Sequence, residues 1–562
     1  MSNNKADVNN LGRNIVLYNL DENNINDFYQ QNSWIDRKSF TRICHLYEFP
    51  EKTITVVIQN YYIDAAYRDV YYHYWAKFHF NWPRHCKRLA IFQNSHSSDE
   101  FWDNKKESER ELQKDFLGTV VIRPSYTHNE TGHTYGRTLL NPYKMVTKEP
   151  NTNEKIHPFR YMITAQYRMH LLGKTFTTHA FVFCSQDGVA MKCAETAIYC
   201  LGDFESASSP LYARVLPSDI QEKLSHRISE RILPSHGLYC NDISYILKEF
   251  GYSPMIYAGA EDYQRTLEDS FESSIDAEKN EVISHWDNIE SAIPILAVTA
   301  VRPDAKKHAT LVIGHGLKQK KITECKQFKL GDYPCIDTSQ LYNTYIINDD
   351  NQIPYVEEAM DHFTIDKNYK LEAYIVPLEK HVFLEAAAAV TICDTFIENQ
   401  KDRLKKAIEV FKNLCYSKLS EVSDKEKMED LKYLIESISV SSENPLTVRY
   451  YLANSAEYKQ FRIKNGIDID EQIFYADVLM PKSVWVAEIS TFRCYQEGYV
   501  IGEVVLDATA SSRSKVDSVI LLRISGNGVY RLPQETYTDL EKKLAEKEEN
   551  IMLPSMFIMY SN

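Results

Sequence analysis

The sequence predicts an α+β protein with more than one domain, and three observations carry that reading. Helix-period segments between about 193 and 250 are followed by apolar, β-branched runs between about 293 and 347, a helix-then-sheet order. At 562 residues the chain exceeds what one compact core serves. Apolar residues make up 44% and aromatics 12%, enough to fill two or three cores. Composition shifts past Glu379, so we divide the chain into 1–155 (α+β), 156–380 and 381–562 (helical, then β-rich).

The elements follow in order. Ile54 to Gln59 (ITVVIQ) is β-branched and reads as a strand. Asp64 caps a helix from about Ala65 to Lys77, whose Tyr67, Tyr71, Tyr74 and Phe78 recur at helical spacing as a core stripe. Arg88 to Phe92 returns as a strand, and Ser95 to Lys114 begins as a loop and ends as a helix. Leu117 to Arg123 is a strand stopped by Pro124. Arg123 and Arg137 could bind an anion, but they are expected at the surface or in ion pairs. Cys193 to Leu201 reads as a helix, Pro217 to Ile232 as a second, and Ile243 to Phe250 as a third, capped by Asn241 or Asp242 and ended by Gly251. The acidic stretch Ala260 to Asn288 reads as an inserted helix or flap near the functional cleft. Ile293 to Thr299, Ala309 to Gly314 and Asn343 to Ile347 are apolar strands. Leu384 to Leu414 and Ser423 to Ser437 are helical, and Pro445 onward returns to short strands, including Ser483 to Ile489 and Tyr499 to Leu506.

Charge and motif content exclude several functions. The net charge is −14 with no long basic stripe, which argues against a nucleic-acid partner. The longest strongly apolar stretch, Val382 to Cys393, contains Glu385 and is too short to span a bilayer, so no membrane partner is expected. The polar N-terminus has no signal-peptide core. Eleven scattered cysteines, with no CxxC and no Cys/His pair at zinc spacing, suit reduced thiols in the cytoplasm and no metal or cofactor. No phosphate-binding glycine loop is present.

Two segments carry chemistry: Gln186-Asp-Gly-Val-Ala-Met-Lys-Cys193 and His308-Ala-Thr-Leu-Val-Ile-Gly-His-Gly316. Cys193 follows a glycine-containing loop and precedes helix formers, which places its sulfur at a helix N-terminus where unpaired amides favour thiolate. Those amides also offer one oxyanion donor, and the neutral side-chain amide of Gln186 offers a second. His308 then accepts the thiol proton and returns it to a leaving group. His315, inside the Gly-x-Gly turn, is the alternative base. Asp187 reads as a loop acid, Glu195 as pointing off the site, and Cys200, two turns from Cys193, as core.

In these two segments the chain resembles the papain-like cysteine peptidases, over about residues 180 to 355. The His308 segment fits their His-Ala-x-x-x-x-Gly-x-Gly pattern, and the layout is closest to the branch that processes double-glycine leaders of bacteriocins. Ala194 stands where many relatives carry glycine. The resemblance implies a papain-like core with flanking α+β regions, and an acid closing the strand after His308. Asp349 fits that place, with Asn348 and Asp350 as alternatives, and an insertion at Lys318 to Ser339 lengthens the loop before it. It implies a cysteine peptidase acting on a peptide or protein substrate through Cys193, His308, Asp349 and Gln186. The flanking regions would restrict access or bind a regulatory protein. An acyltransferase, amidase or deamidase shares the chemistry up to the acyl-enzyme, and an inactive binding scaffold shares the fold.

Overall fold

The fold is that of a computed structural model. It describes residues 8–554 apart from 78–80, 128–129, 149–153, 228–234, 236, 259–289, 301–306, 318, 320, 326, 343, 360–369, 422–424, 466–468, 512–516, 525–527 and 532–552. The acidic stretch 260–288, Phe78 and the end of the expected second helix (228–232) lie outside the described residues.

Helices and strands mix throughout, in an α+β arrangement built on three large sheets. The first is an antiparallel meander of Val8–Gly12, Ile15–Leu20, Ile54–Tyr62, Cys86–Gln93, Phe116–Thr127 and Glu130–Tyr135, with Leu139–Leu140 added beside Phe116–Thr127. The helix Ala65–His73 packs here, capped by Asp64, whose carboxylate accepts the Tyr67 amide at 2.9 Å. Tyr67 is buried and Tyr71 and Tyr74 pack on the core, while Tyr72 faces out. Pro124 does not stop its strand as expected. The neighbouring strand Cys86–Gln93 pairs only as far as Ile122, so the missing proline N–H costs no ladder bond on that side. Ser95 to Lys114 holds two helices, Ser98–Trp102 and Lys106–Asp115, rather than a loop and one helix.

The second sheet runs in the order Tyr252–Ala258, Lys370–Glu379, Ile295–Ala300, Lys307–Gly316, Thr344–Asn348 and Val356–Ala359. One edge of Lys307–Gly316 is shared: Ile295–Ala300 pairs along its first part and Phe159–Met162 along its last. The helix Cys193–Ser208 lies against this strand. Ala194, Ala197, Ile198, Tyr199, Cys200, Leu201 and Phe204 are all buried, so the helix is enclosed rather than amphipathic. Arg137 forks onto its Asp203 at 2.8 and 2.9 Å while stacking on Tyr167 of the hairpin Ala165–Leu171 and Lys174–Ala180. The hairpin turn is Leu172-Gly173, both at positive φ, and the alternating burial of its first strand follows the strand period. The helix Cys240–Glu249 starts at Tyr239, whose amide Asp242 accepts at 3.2 Å from the third helical position.

The third sheet comprises Phe328–Leu330, Tyr333–Asp337, Leu446–Asn454, Ser483–Thr491, Gly502–Asp507, Val519–Ile524 and Gly528–Arg531. Its first two strands come from the expected insertion. Tyr333–Asp337 pairs parallel with Leu446–Asn454, and the described pairs elsewhere in the sheet are antiparallel. The helical stretch after Leu384 is two helices, Ala386–Asn399 and Lys401–Glu421, joined at Gln400. Arg449 of this sheet ion-pairs with buried Glu290 at 2.8 Å, tying the third sheet to the chain leading into Ile295–Ala300. Among the described residues no helix is long and apolar enough to cross a membrane.

Candidate active site

The site is assembled by one register. In the antiparallel pair, Leu311 lies opposite Asn348 and Val312 opposite Ile347. The chain leaving Asn348 therefore travels back toward the start of the neighbouring strand, where His308 sits. A turn then forms at once, with the Gln352 amide donating to the Asp349 carbonyl at 3.0 Å. The carboxylates of residues 349 and 350 are delivered to the imidazole from that turn.

His308 Nε2 donates to Asp349 Oδ1 at 2.9 Å. Asp349 is held in turn by the Asn351 amide at 2.9 Å on the same oxygen and by Gln352 Nε2 at 3.1 Å on the other. Cys193 is close enough to the imidazole to help raise it. With Nε2 committed to Asp349, Nδ1 is the nitrogen left for it. Cys193 is the first residue of its helix and is partly exposed, whereas Cys184 and Cys200 are buried. Burial opposes the charged form of His308, but the hydrogen bond to Asp349, the nearby Cys193 side chain and the charges of Asp349 and Asp350 outweigh it and raise the imidazole to about 10. Burial likewise opposes ionisation of Asp349, yet the His308 bond and charge and the Asn351 amide hold its carboxyl below the usual range.

The two other acid-position alternatives do different things. Asn348 donates to the Val182 carbonyl at 2.9 Å, away from the ring. Asp350 Oδ1 lies 3.6 Å from His308 Nε2, and burial with the adjacent Asp349 charge pushes its carboxyl up to about 7. His315 is stacked on Tyr342 with ring centroids 4.2 Å apart, fully buried, and burial with Arg449 lowers it to about 3. That environment keeps it neutral and out of reach of solvent, and it takes no part in the cluster.

The Gln186–Cys193 loop is built by Asp187. Its Oδ1 accepts the amides of Val189, Ala190 and Met191 at 2.9, 2.8 and 2.9 Å, and its own amide donates to the Met191 carbonyl at 3.1 Å. Gly188 supplies the positive φ of 71° that this curl requires. Arg123, buried behind the loop, donates to the Ser185 carbonyl at 2.5 Å and lies 4.0 Å from Asp187, so it is a structural ion-pair partner. Glu195 points away from the imidazole. It is buried, takes the Lys192 amide at 3.3 Å and the Ser235 hydroxyl, and so ties the loop-to-helix entry to Ser235.

Gln186 Nε2 donates to Asn351 Oδ1 at 2.5 Å, and Asn351 Nδ2 lies 3.4 Å from His308 Nε2. Gln186 is thus brought to the site, with its amide resting on Asn351. To meet an oxyanion at Cys193 that amide must leave Asn351. Asn351 is the residue that sequence reasoning missed; the signal was its place two residues past the expected acid. His308, Asp349 and Asp350 also form a group whose donor atoms lie within 4.8 Å of one another, the set most suited to hold a metal ion among the described residues.

No known family model matches the chain, and no curated protein matches its sequence significantly.

Proposed function

We propose that this chain is a cysteine peptidase with a papain-like core that hydrolyses a peptide or protein amide bond. The observation that carries the reading is the His308–Asp349 hydrogen bond at 2.9 Å beside Cys193, whose thiol opens a helix. His308 takes the thiol proton on Nδ1, and the thiolate adds to the scissile carbonyl. The developing oxyanion meets the backbone amides at the helix start and the Gln186 amide. Imidazolium gives its proton to the leaving amine, and a water deprotonated by the same ring then releases the acid product. Asp349 holds the ring with Nε2 protonated, so that Nδ1 faces sulfur. A cytosolic setting agrees with the eleven cysteines, all free thiols.

The test is a time course with iodoacetamide or an epoxide probe, followed by peptide mapping, together with digestion of a peptide library. Cys193 is expected to react at least about tenfold faster than the other cysteines, because it is partly exposed, opens a helix and has a proton acceptor beside it. New peptide termini should appear with wild type and not with Cys193→Ala. A chain in which no thiol, or another thiol, is the reactive one would sink the reading. Fast labelling without new termini would transfer the site to acyl transfer or deamidation.

A further inference from the structure

We infer that His308, Asp349 and Asp350 form a binding site for a divalent transition-metal ion such as Zn2+, and that occupancy switches the thiol site off. The inhibitory part rests on the thiol-hydrolase reading above; the ion site does not.

The thiol mechanism uses one carboxylate, and the structure supplies two. Asp350 is 7% exposed, and neither of its buried carboxylate oxygens has a hydrogen-bond partner; its counter-charge is the His308 imidazole, 3.6 Å from Oδ1. A buried carboxylate left so is expensive unless a proton or a cation compensates it. Its Oδ1 is directed at the ring nitrogen that Asp349 already engages, 3.6 Å from His308 Nε2 against 2.9 Å for Asp349 Oδ1. Donors about 2.1 Å from a tetrahedral or octahedral ion lie about 3.0–3.4 Å from one another. The two spacings measured from His308 Nε2 bracket that range, and the three donor atoms lie within 4.8 Å of one another, so side-chain shifts would bring them onto one ion. One imidazole and two carboxylates suit Zn2+, Mn2+ or Fe2+, and two carboxylates balance the double charge. Gln352 Nε2 on Asp349 Oδ2 and the Asn351 amide supply the outer support such ligands use.

The consequence follows from proton placement. A metal takes the Nε2 lone pair only in the other tautomer, so the single ring proton that Asp349 held on Nε2 is exchanged through solvent to Nδ1. It then faces Cys193. A ring in that state cannot accept the thiol proton, and as a neutral imidazole it no longer stabilises thiolate as imidazolium does. Cys193 is not among the donor atoms of this group.

The experiment is calorimetric titration of zinc chloride into full-length protein freed of metal by chelator. Cys193→Ala should bind one zinc ion per chain, and Asp350→Asn on that background should weaken binding by at least about tenfold. In wild type, zinc should slow alkylation of Cys193, and chelator should restore it. Cobalt should bind wild type without a thiolate-to-metal charge-transfer band, a readout that needs no variant. Saturable zinc binding lost in Cys193→Ala, a cobalt–thiolate band, or affinity untouched in a folded Asp350→Asn protein would each overturn the inference. Alkylation of Cys193 in metal-free protein is scored separately, so a failed metal site and a failed thiol site give different results.

Discussion

At the scale of single residues, the candidate site separates groups that the proposed mechanism uses from groups that shape the loop around them. Gln186→Ala should lower turnover by about 10- to 1000-fold with little change in melting temperature, because an oxyanion donor acts in the transition state. Full activity would remove Gln186 from the mechanism and leave its Asn351 bond as a surface contact. Asp187 is the opposite case. Its carboxylate carries three backbone amides of the loop before Cys193. Asp187→Ala should cost about 3 kcal/mol or more, since each hydrogen bond to a charged group contributes about 1.5–3 kcal/mol. Urea unfolding measures this, and iodoacetamide labelling of Cys193 should slow in parallel. A stable variant with wild-type labelling would mean that the loop holds its curl without the acid.

At the scale of elements, the strand Lys307–Gly316 is the organising piece, and its glycines are there for approach rather than for turning. A Cβ on Gly314 would stand 2.2 Å from the Tyr161 carbonyl oxygen. The strand Phe159–Met162 lies directly on that backbone, with Met162 opposite Gly314. Gly314→Ala should therefore part the two strands and destabilise the protein by about 1–3 kcal/mol, the usual cost of forcing extra volume into a packed site. Thermal unfolding checks it, and an unchanged melting temperature would show that the strand pairing can shift to admit a methyl group. This part of the motif was legible in the sequence because His, Ala and the two glycines sit at short fixed intervals. Asn351 and the ion-compatible pairing of Asp350 were not, because His308 is about 40 residues away and Gln186 is 165 residues from Asn351, and they meet only through the tertiary fold.

At the scale of the whole molecule, the strand Tyr333–Asp337 leaves the region of the site to join the third sheet, and it carries a buried acid across. Asp337 is 2% exposed and has one oxygen without a hydrogen-bond partner. Burial raises its carboxyl from 3.8 to about 7, with Asp394 and Glu290 adding to the shift and the Ser339 bonds opposing it. The folded chain thus holds a proton that the unfolded chain has released over this interval. Its contribution to stability is complete below about pH 3.8 and is lost as pH rises toward 7. Between pH 5 and 8 the wild type should lose about 2–3 kcal/mol that Asp337→Asn does not lose, at 1.36 kcal/mol per pH unit. Urea midpoints at the two pH values measure it, and parallel slopes for the two proteins would show that Asp337 stays ionised when folded.

The sequence by itself determined the mixed α+β character and most helix and strand locations, and it singled out Cys193, His308 and Gln186 as candidates, with Asn348, Asp349 and Asp350 left open for the third position. These are local properties: period, caps, and residue type at short spacing. Only the tertiary structure decided which of Asn348, Asp349 and Asp350 meets the ring, because one residue of register separates them and the pairing of Leu311 with Asn348 sets it. The same holds for Pro124, which its strand tolerates because the neighbouring strand has already ended, and for Tyr333–Asp337, which reads as part of a loop insertion but pairs with a strand more than 100 residues later. Pairing between distant segments is paid in loop-closure entropy and recovered in burial, and neither quantity is written in the local sequence.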